Sequence, residues 1–355
     1  MTTAESSALI REDNMDESRA MYRTRTAASL ADLGQVLGEW STKGHPEAEA
    51  AGKAGNSWFT PESIKQSFAG IAHMLRLEAL QQWLAGVVPT SEPKRIGIVM
   101  AGNLPLVGFH DLVCVLAAGH NATVKLSSQD EALPKLVVAA LAKIDPAMAA
   151  QVQFVERLKD IDAVIATGGD NTARYFHQYF GKYPHIIRRN RNSVAILSGQ
   201  ESQEEIEQLG ADIFSYFGMG CRSVSTLFMP KGFALERLDT GWQAYMPLTM
   251  FHKYANNLDY YKSIYLLNQD TFWDLGMVLL KGSEGTASPI AVLNLVEYER
   301  LEEIDAWVAK HQEGLQVITS RSAWYPDSIP FGQSQKPELW DYADKVDTIS
   351  FLATL

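Results

Sequence analysis

From Lys94 onward, short apolar segments rich in β-branched residues alternate with longer segments in which apolar residues recur at helical spacing. The short segments predict buried strands and the longer ones predict helices, because the two structures differ in both length and period. The predicted strands are 96–100, 122–126, 152–155, 163–166 and 193–197, and the predicted helices are 106–118, 131–144, 172–180 and 204–217. Strands and helices that alternate in this way form βαβ units, so the sequence predicts an α/β fold with a doubly wound parallel sheet.

A second α/β unit is predicted after Cys221, from a strand-like run at 222–229, further helices, a strand at 290–295 and a helix at 301–311. The first 90 residues are expected to be helical, with a polar connection at 41–57. A helix should begin just after that connection, because the Thr60 hydroxyl can cap it and Pro61 fits its first turn. We therefore divide the chain into a helical arm at 1–90, two α/β units at 91–210 and 211–335, and a tail at 336–355.

Composition excludes several classes of protein. Lys and Arg number 31 against 42 Asp and Glu, so the net charge of −11 argues against binding to nucleic acid or to an anionic membrane. No apolar stretch approaches the roughly 20 residues that span a bilayer, and the first residues lack the apolar core of a signal peptide, so we expect a cytoplasmic protein. Two cysteines and eight histidines without metal spacing predict neither a disulfide framework nor a metal site.

Two predicted strands end in residues that could face a ligand, since parallel sheets bind ligands at the carboxyl ends of their strands. Asn103 lies in the corner Ala-Gly-Asn-Leu-Pro that follows the first strand, where its amide could donate a hydrogen bond. Lys125 ends the second strand and is followed by Ser127 and Ser128, which could hold ribose or phosphate. An ordinary turn and a solvated lysine are the alternative interpretations.

Thr167, Gly168 and Gly169 lie between a predicted strand and a predicted helix. Such a turn suits a phosphate group, because backbone N–H groups at a helix N-terminus face the anion. The GxGxxG fingerprint is missing, so an ordinary Rossmann dinucleotide site is not indicated.

Cys221 is the candidate nucleophile. Gly218 and Gly220 remove bulk on its N-terminal side, and Arg222 supplies a positive charge that favours the thiolate. Cys114 lies in an apolar helical segment and is expected to be a small buried residue.

The order of these features resembles the aldehyde dehydrogenase superfamily: an Asn-Leu-Pro corner, a strand-end lysine, a Thr-Gly-Gly turn and a cysteine preceded by glycine. Ser-Pro-Ile at 288–290 with the block 296–314, and Pro-Phe-Gly at 330–332, extend the resemblance to the C-terminal part. Within the superfamily the chain most resembles the LuxC-type acyl-CoA reductases. The segments that carry this resemblance are 56–61 (Asn-Ser-Trp-Phe-Thr-Pro), 192–195 and 218–225.

The resemblance implies an aldehyde dehydrogenase-like fold of two parallel-sheet α/β domains with an N-terminal helical arm. The first domain would bind NAD(P), the second would carry the catalytic cysteine, and the tail would contact a second copy. The implied activity is NAD(P)H-dependent reduction of a fatty acyl-CoA thioester to the aldehyde through an acyl-cysteine on Cys221. Asn103 would hold the oxyanion together with the Cys221 backbone amide. The cofactor would be held by Lys125, Ser128, Thr167, Gly168, Gly169 and Glu284, the last of these at the nicotinamide ribose.

Two departures from the family pattern refine this hypothesis. Superfamily members that hydrolyse their thioester carry a glutamate base, but the stretch 186–190 contains no acid, which favours reduction over oxidation to an acid. NAD-preferring members carry a glutamate where Ser128 stands, so NADPH is favoured over NADH, although Asp130 and Glu131 oppose this.

Two alternatives remain open at the level of sequence. One is a CoA-acylating aldehyde dehydrogenase that acts on short aldehydes. The other is a non-redox subunit that is acylated on Cys221 and serves an acyl-transferring partner enzyme. The expected substrate is an acyl-CoA or acyl-protein, and a homo-oligomer is expected by analogy.

Overall fold

The computed structural model describes the backbone of residues 3–355 and the side chains of residues 16–169 and 172–355. Within these residues the helices are α1 (Thr3–Lys43), α2 (Pro46–Gly55), α3 (Pro61–Met74), α4 (Leu77–Leu84), α5 (Phe109–Ala117), α6 (Ala132–Ile144), α7 (Pro146–Ala149), α8 (Asp170–Phe180), α9 (Gln203–Phe214), α10 (Glu236–Trp242), α11 (His252–Leu267), α12 (Leu301–His311) and α13 (Thr348–Ala353). The strands are β1 (Arg95–Val99), β2 (Asn121–Lys125), β3 (Val152–Phe154), β4 (Ala163–Thr167), β5 (His185–Arg188), β6 (Asn192–Ile196), β7 (Val224–Pro230), β8 (Phe272–Asp274), β9 (Leu279–Gly282), β10 (Val292–Tyr298), β11 (Leu315–Ser320) and β12 (Ile329–Pro330).

The chain forms two compact units, and the first contains the residues up to Arg189 together with Pro337–Leu355. Its sheet has the strand order β3-β2-β1-β4-β5, and all neighbouring strands are parallel. Four of its strands coincide with predicted ones. The predicted α/β class is confirmed, because strands and helices alternate as the pattern indicates.

The helical arm belongs to this first unit, and its predicted helix start is confirmed. The Thr60 side chain accepts a hydrogen bond from the Ser63 N–H at 3.2 Å, and Pro61 occupies the first turn of α3. Leu30, Leu33 and Leu37 of α1 are buried in the same core as α3 and the sheet. The prediction of a polar connection at 41–57 is wrong, because this segment contains α2. The apolar residues of α2 are too few to give a periodic signal in the sequence.

The second unit comprises Asn190–Lys336 and has a seven-stranded sheet of order β12-β11-β6-β7-β10-β9-β8. Its strands are parallel except for the antiparallel pair β8 and β9. The predicted strands at 222–229 and 290–295 correspond to β7 and β10, and the predicted helix at 301–311 coincides with α12.

The predicted strand at 193–197 exists as β6, but it lies in the second sheet, where it pairs with β7 and β11. The fifth strand of the first sheet is instead β5, a four-residue segment that the apolar pattern missed because it contains His and Arg. The division between the units therefore falls after Arg189 rather than at residue 210, and the tail belongs to the first unit. Among the helices described, none combines the length and apolar character that crossing a bilayer requires.

Candidate active site

The predicted site residues fall in both units: Asn103, Lys125, Ser128, Thr167, Gly168 and Gly169 in the first, and Cys221 and Glu284 in the second. In the first unit they share one edge of the sheet. Val99 at the end of β1 is paired with Lys125 of β2 on one side and with Ala166 of β4 on the other. The three strands are parallel and end level with one another, so the residues that follow them meet at one carboxyl edge.

The corner that carries Asn103 is held by the helical arm. Asn103 itself is exposed. The Asn56 side-chain amide donates to the Gly102 carbonyl at 2.9 Å, and the Ser67 hydroxyl donates to the Pro105 carbonyl at 2.9 Å. Asn56 begins the 56–61 motif, so this motif contributes directly to the backbone geometry around Asn103.

Asp130 holds the same corner from the other side. Its Oδ2 accepts a hydrogen bond from the Leu106 N–H at 2.7 Å, and Leu106 adopts a left-handed φ of 62°. The side chain is buried, and its Oδ1 finds no hydrogen-bond partner among the described residues. Burial raises the pKa of this carboxyl to about 7. Sequence reasoning considered Asp130 only as an acid near the cofactor and missed this role.

Gly102 lets the Asn103 corner approach the loop that follows β2. A Cβ at Gly102 would lie 2.5 Å from Ser127 Oγ and 2.7 Å from Ser127 Cβ. Lys125 is partly buried at the end of β2, and Ser128 is exposed in the loop beyond it. The close approach therefore brings the candidate cofactor loop against the corner that carries the candidate oxyanion donor.

The Gly-Gly turn leads from β4 directly into α8. Thr167 is the last residue of β4, and the Gly169 carbonyl accepts the Ala173 N–H at 2.9 Å in the first turn of the helix. A Cβ at Gly168 would lie 3.0 Å from the ring of Phe176 and 3.1 Å from Thr172 Cβ. This crowding disfavours a side chain between the strand and the helix.

In the second unit, Cys221 is exposed and lies just before β7. The turn before it contains three consecutive left-handed residues: Tyr216 with φ 51°, Phe217 with φ 60° and Gly218 with φ 76°. The buried Phe217 ring stacks on Phe251 with a centroid distance of 4.8 Å. Left-handed backbone at non-glycine residues is unfavourable and is retained only where packing imposes it, often at functional sites.

Cys114 is the opposite case. It lies on α5 and is 0% exposed, and burial raises the pKa of its thiol well above the ordinary value. Of the two cysteines, Cys221 is therefore the one that a reagent in solution can reach.

Two serines that sequence reasoning did not single out bind the backbone around Cys221. The Ser193 hydroxyl of β6 donates to the Cys221 carbonyl at 2.9 Å. The Ser223 hydroxyl accepts the Gly220 N–H at 3.2 Å and the Gln335 amide N–H at 3.4 Å. For Ser193, the available sequence signal was a serine beside the apolar residues of a predicted strand, within the 192–195 motif.

Glu284 is exposed on a loop whose backbone is fixed by neighbouring strands. The Thr226 hydroxyl and the Asn294 amide both donate to the Gly285 carbonyl, at 2.8 and 2.9 Å. The Trp307 indole N–H donates to the carbonyl of Glu284 itself at 2.9 Å. The loop thus presents the Glu284 side chain from a constrained backbone.

A small pocket adjoins the turn that leads to Cys221 and shares Phe217 and Gly218 with it. Its volume is about 20 Å³, which is room for about one water molecule. Its other lining residues come from α9, β7, α11 and the segments around β9 and β10: Ile213, Phe214, Val224, Tyr254, Val278, Ser288, Pro289, Ile290, Ala291 and Val292. Both polar and apolar atoms face this space.

The stretch 186–190 contains no acid and includes the buried Arg188. Its guanidinium donates to Asp111 Oδ1 at 2.6 Å and to the Thr348 hydroxyl at 2.9 Å, which ties the tail to α5. Arg188 therefore has a structural environment. Among the side chains that the structure describes, no three His, Cys, Asp or Glu groups lie together as metal ligands would.

Comparison with known proteins agrees with these features. Residues 78–237 match the family model described as acyl-CoA reductase (LuxC). No curated protein matches the chain. This match confirms the resemblance to LuxC-type acyl-CoA reductases.

Solved structures of aldehyde dehydrogenases share the fold at low sequence identity. The indole-3-acetaldehyde dehydrogenase AldA of P. syringae has a TM-score of 0.62 at 12% identity, covering 88% of this chain and 77% of that one. Aldehyde dehydrogenase 21 of Physcomitrella patens has a TM-score of 0.58 at 12% identity, with coverages of 87% and 76%. The NAD-dependent aldehyde dehydrogenase of Sinorhizobium meliloti has a TM-score of 0.62 at 11% identity, with coverages of 85% and 70%. The predicted aldehyde dehydrogenase-like fold is thereby confirmed.

Proposed function

We propose that this protein, an oxidoreductase of the LuxC acyl-CoA reductase type, reduces a fatty acyl-CoA thioester to the aldehyde through an acyl-cysteine on Cys221. The observation that carries the proposal is the contrast between an exposed Cys221, set between a constrained turn and a strand, and a fully buried Cys114. Only an accessible thiol can reach a thioester carbonyl.

In the first step, the Cys221 thiolate attacks the acyl carbonyl carbon. A carbon–sulfur bond forms to Cys221, the bond to the CoA sulfur breaks, and CoA leaves as its thiolate. Asn103 and the Cys221 backbone N–H are the proposed donors to the oxyanion, with about 3 kcal/mol expected from each in comparable sites. Arg222, next in the chain, adds positive charge that favours the thiolate.

The acyl-cysteine must then survive until it is reduced. No acid is present at 186–190, and Arg188 in this stretch is engaged by Asp111, so a base that would activate water is missing there.

A nicotinamide cofactor fits the residues at the carboxyl edge of the first sheet. The crowded Gly168 turn and the N-terminus of α8 suit the pyrophosphate, Lys125 and Ser128 suit the adenosine ribose, and Glu284 is proposed for the nicotinamide ribose. When bound, the reduced cofactor would supply a hydride to the acyl carbon. The carbon–sulfur bond to Cys221 would then break, which releases the aldehyde and returns the Cys221 thiolate.

NADPH is proposed as the preferred cofactor. Ser128 is exposed and neutral, so it would not repel a 2′-phosphate. Two acids opposed this preference in the sequence. Asp130 is buried and accepts the Leu106 N–H, which argues against a role at the ribose. Glu131 is exposed and forms an ion pair with Lys135 at 3.2 Å.

The decisive experiment is incubation with acyl-CoA in the absence of cofactor, followed by mass spectrometry and then by NADPH addition. We expect an adduct on Cys221 and NADPH consumption in the wild type and in Cys114→Ala, and neither in Cys221→Ala. An adduct on Cys114, or an active Cys221→Ala variant, would refute the mechanism. An adduct that forms normally but never consumes NADPH or NADH would favour the non-redox acyl-transfer subunit instead.

The oxyanion role of Asn103 is tested in the same system. Asn103→Ala should slow single-turnover acylation by roughly a hundredfold while cofactor affinity stays at the wild-type level. Normal acylation combined with weakened cofactor binding would assign Asn103 to the cofactor site.

A further inference from the structure

We propose that Ser193 is a positioning residue that sets the orientation of Cys221 for acylation, an inference that rests on the function proposed above. Ser193 is 0% exposed in β6. Its hydroxyl donates to the Cys221 carbonyl at 2.9 Å and accepts the Val317 N–H of β11 at 3.2 Å. One side chain therefore connects the residue that carries the nucleophile to the central strands of the second sheet.

Ser193 stands where the register breaks on both sides of β6. Toward β7, Ser193 is paired with Val224, but the next residue of β6 is paired with Thr226, so one residue of β7 is skipped. Toward β11, the pairing moves from Leu315 to Ile318 over two residues of β6. Bulges of this kind release backbone groups from the ladder, and they are frequent beside active sites, where they redirect a side chain.

The Ser193 hydroxyl supplies a partner for a backbone group that the irregularity toward β11 releases. Val317, whose N–H it accepts, lies within the skipped segment of β11. Ser225, the residue skipped on β7, donates its hydroxyl to the Thr286 carbonyl at 2.6 Å, and the Ser193 carbonyl lies 3.3 Å from the same hydroxyl. A backbone N–H without a partner is unfavourable inside a protein, so the Ser193 hydroxyl stabilises the irregularity toward β11.

The bond to the Cys221 carbonyl has a consequence for the nucleophile. It restricts rotation of the peptide that leaves Cys221, and the left-handed turn at 216–218 restricts the chain that enters it. The directions of the Cys221 Cα–Cβ bond and of its backbone N–H are therefore both constrained. Because the N–H is a proposed oxyanion donor, acylation depends on both directions together, whereas alkylation of the thiol by a small reagent depends on neither.

The test compares the two reactions of Cys221 in Ser193→Ala. Single-turnover acylation by acyl-CoA should slow by roughly tenfold to a hundredfold, as misplacement of a reacting group predicts. Alkylation by iodoacetamide and the affinity for NADPH should remain at the wild-type level. Ser193→Thr keeps the hydroxyl and should acylate at close to the wild-type rate.

Ser320→Ala is the matched control. Ser320 is also fully buried in the second sheet, where its hydroxyl is bonded to Ser328 Oγ at 2.6 Å and accepts the Tyr325 N–H at 3.1 Å. Its loss should lower the melting temperature as the loss of the Ser193 hydroxyl does, but acylation should stay normal.

Normal acylation in Ser193→Ala, or equally slow acylation in Ser193→Thr, would overturn the inference. So would a parallel loss of acylation and alkylation that Ser320→Ala reproduces, since it would show general destabilisation. A wild-type protein that forms no acyl adduct at all would refute the proposed function, which is a separate outcome.

Discussion

Replacing Asp130 by Asn should change how the stability of the protein depends on pH. The Asp130 side chain is 4% exposed, and its Oδ2 accepts the Leu106 N–H. Burial raises the pKa of this carboxyl from its ordinary value to about 7. Asparagine can still accept the Leu106 N–H through its carbonyl oxygen, but it carries no charge at any pH. The variant therefore removes the titration and keeps the bond that supports the Asn103 corner.

The sign follows from the direction of the shift. Because the pKa is higher in the folded than in the unfolded chain, the folded state binds the proton more tightly. The stability that results is fully present below the unfolded pKa near 4 and is lost as the pH rises through about 7. With about 1.4 kcal/mol for each pKa unit, this group alone lowers the free energy of unfolding by about 2 kcal/mol between pH 5.5 and pH 8.5.

The measurement is urea unfolding of the whole chain, followed by circular dichroism at pH 5.5, 7.0 and 8.5. The difference in unfolding free energy between Asp130→Asn and the wild type should move in favour of the variant by about 2 kcal/mol over this range, whatever its value at pH 5.5. Asp32→Asn, which removes an exposed carboxylate from α1, is measured alongside as the control for the loss of a carboxylate as such. A difference for Asp130→Asn that does not change with pH would refute the reasoning.

Three further predictions concern the first unit. Gly102→Ala would place a Cβ 2.5 Å from Ser127 Oγ, so both the melting temperature and the acylation rate should fall; a variant unchanged in both would contradict the crowding. Arg188→Met leaves Asp111 buried without its partner and should reduce the free energy of unfolding by about 3–5 kcal/mol, whereas a double variant with Asp111→Leu should lose less; equal losses would argue against the pair. Ser128→Glu should lower kcat/KM for NADPH relative to NADH by a factor that corresponds to about 1–2 kcal/mol of activation free energy. An equal loss for both cofactors would show that Ser128 does not contact the ribose.

Elements with a strong local signal could be predicted from the sequence. The start of α3 follows from the hydroxyl of Thr60 and the ring of Pro61, and α12 follows from apolar residues at helical spacing. The first four strands were recognised because a buried parallel strand is a short, continuous apolar run. All of these signals lie within a few residues of the structure that they predict.

The sheet to which a strand belongs could not be predicted in this way. The β6 segment has the composition of a parallel strand, but its neighbours β7 and β11 begin 28 or more residues further along the chain. The pattern places it correctly as a strand and wrongly in the first sheet. Strand β5 shows the converse, since its place at the edge of the first sheet next to β4 depends on pairing that the polar residues His185 and Arg188 do not indicate.

The same distinction applies to the candidate site. The sequence by itself determined which residues are candidates, because Cys221 among glycines and Asn103 at a strand end are recognisable from their neighbours along the chain. Only the tertiary structure decided which residues support them. Ser193 bonds to the carbonyl of Cys221, and Asn56 and Asp130 bond to the backbone of the corner that carries Asn103. These supports are hydrogen bonds between residues 24 to 46 positions apart. Such bonds form only when the chain folds, since nothing in the residues adjacent to a serine or an aspartate specifies which distant backbone group it will meet.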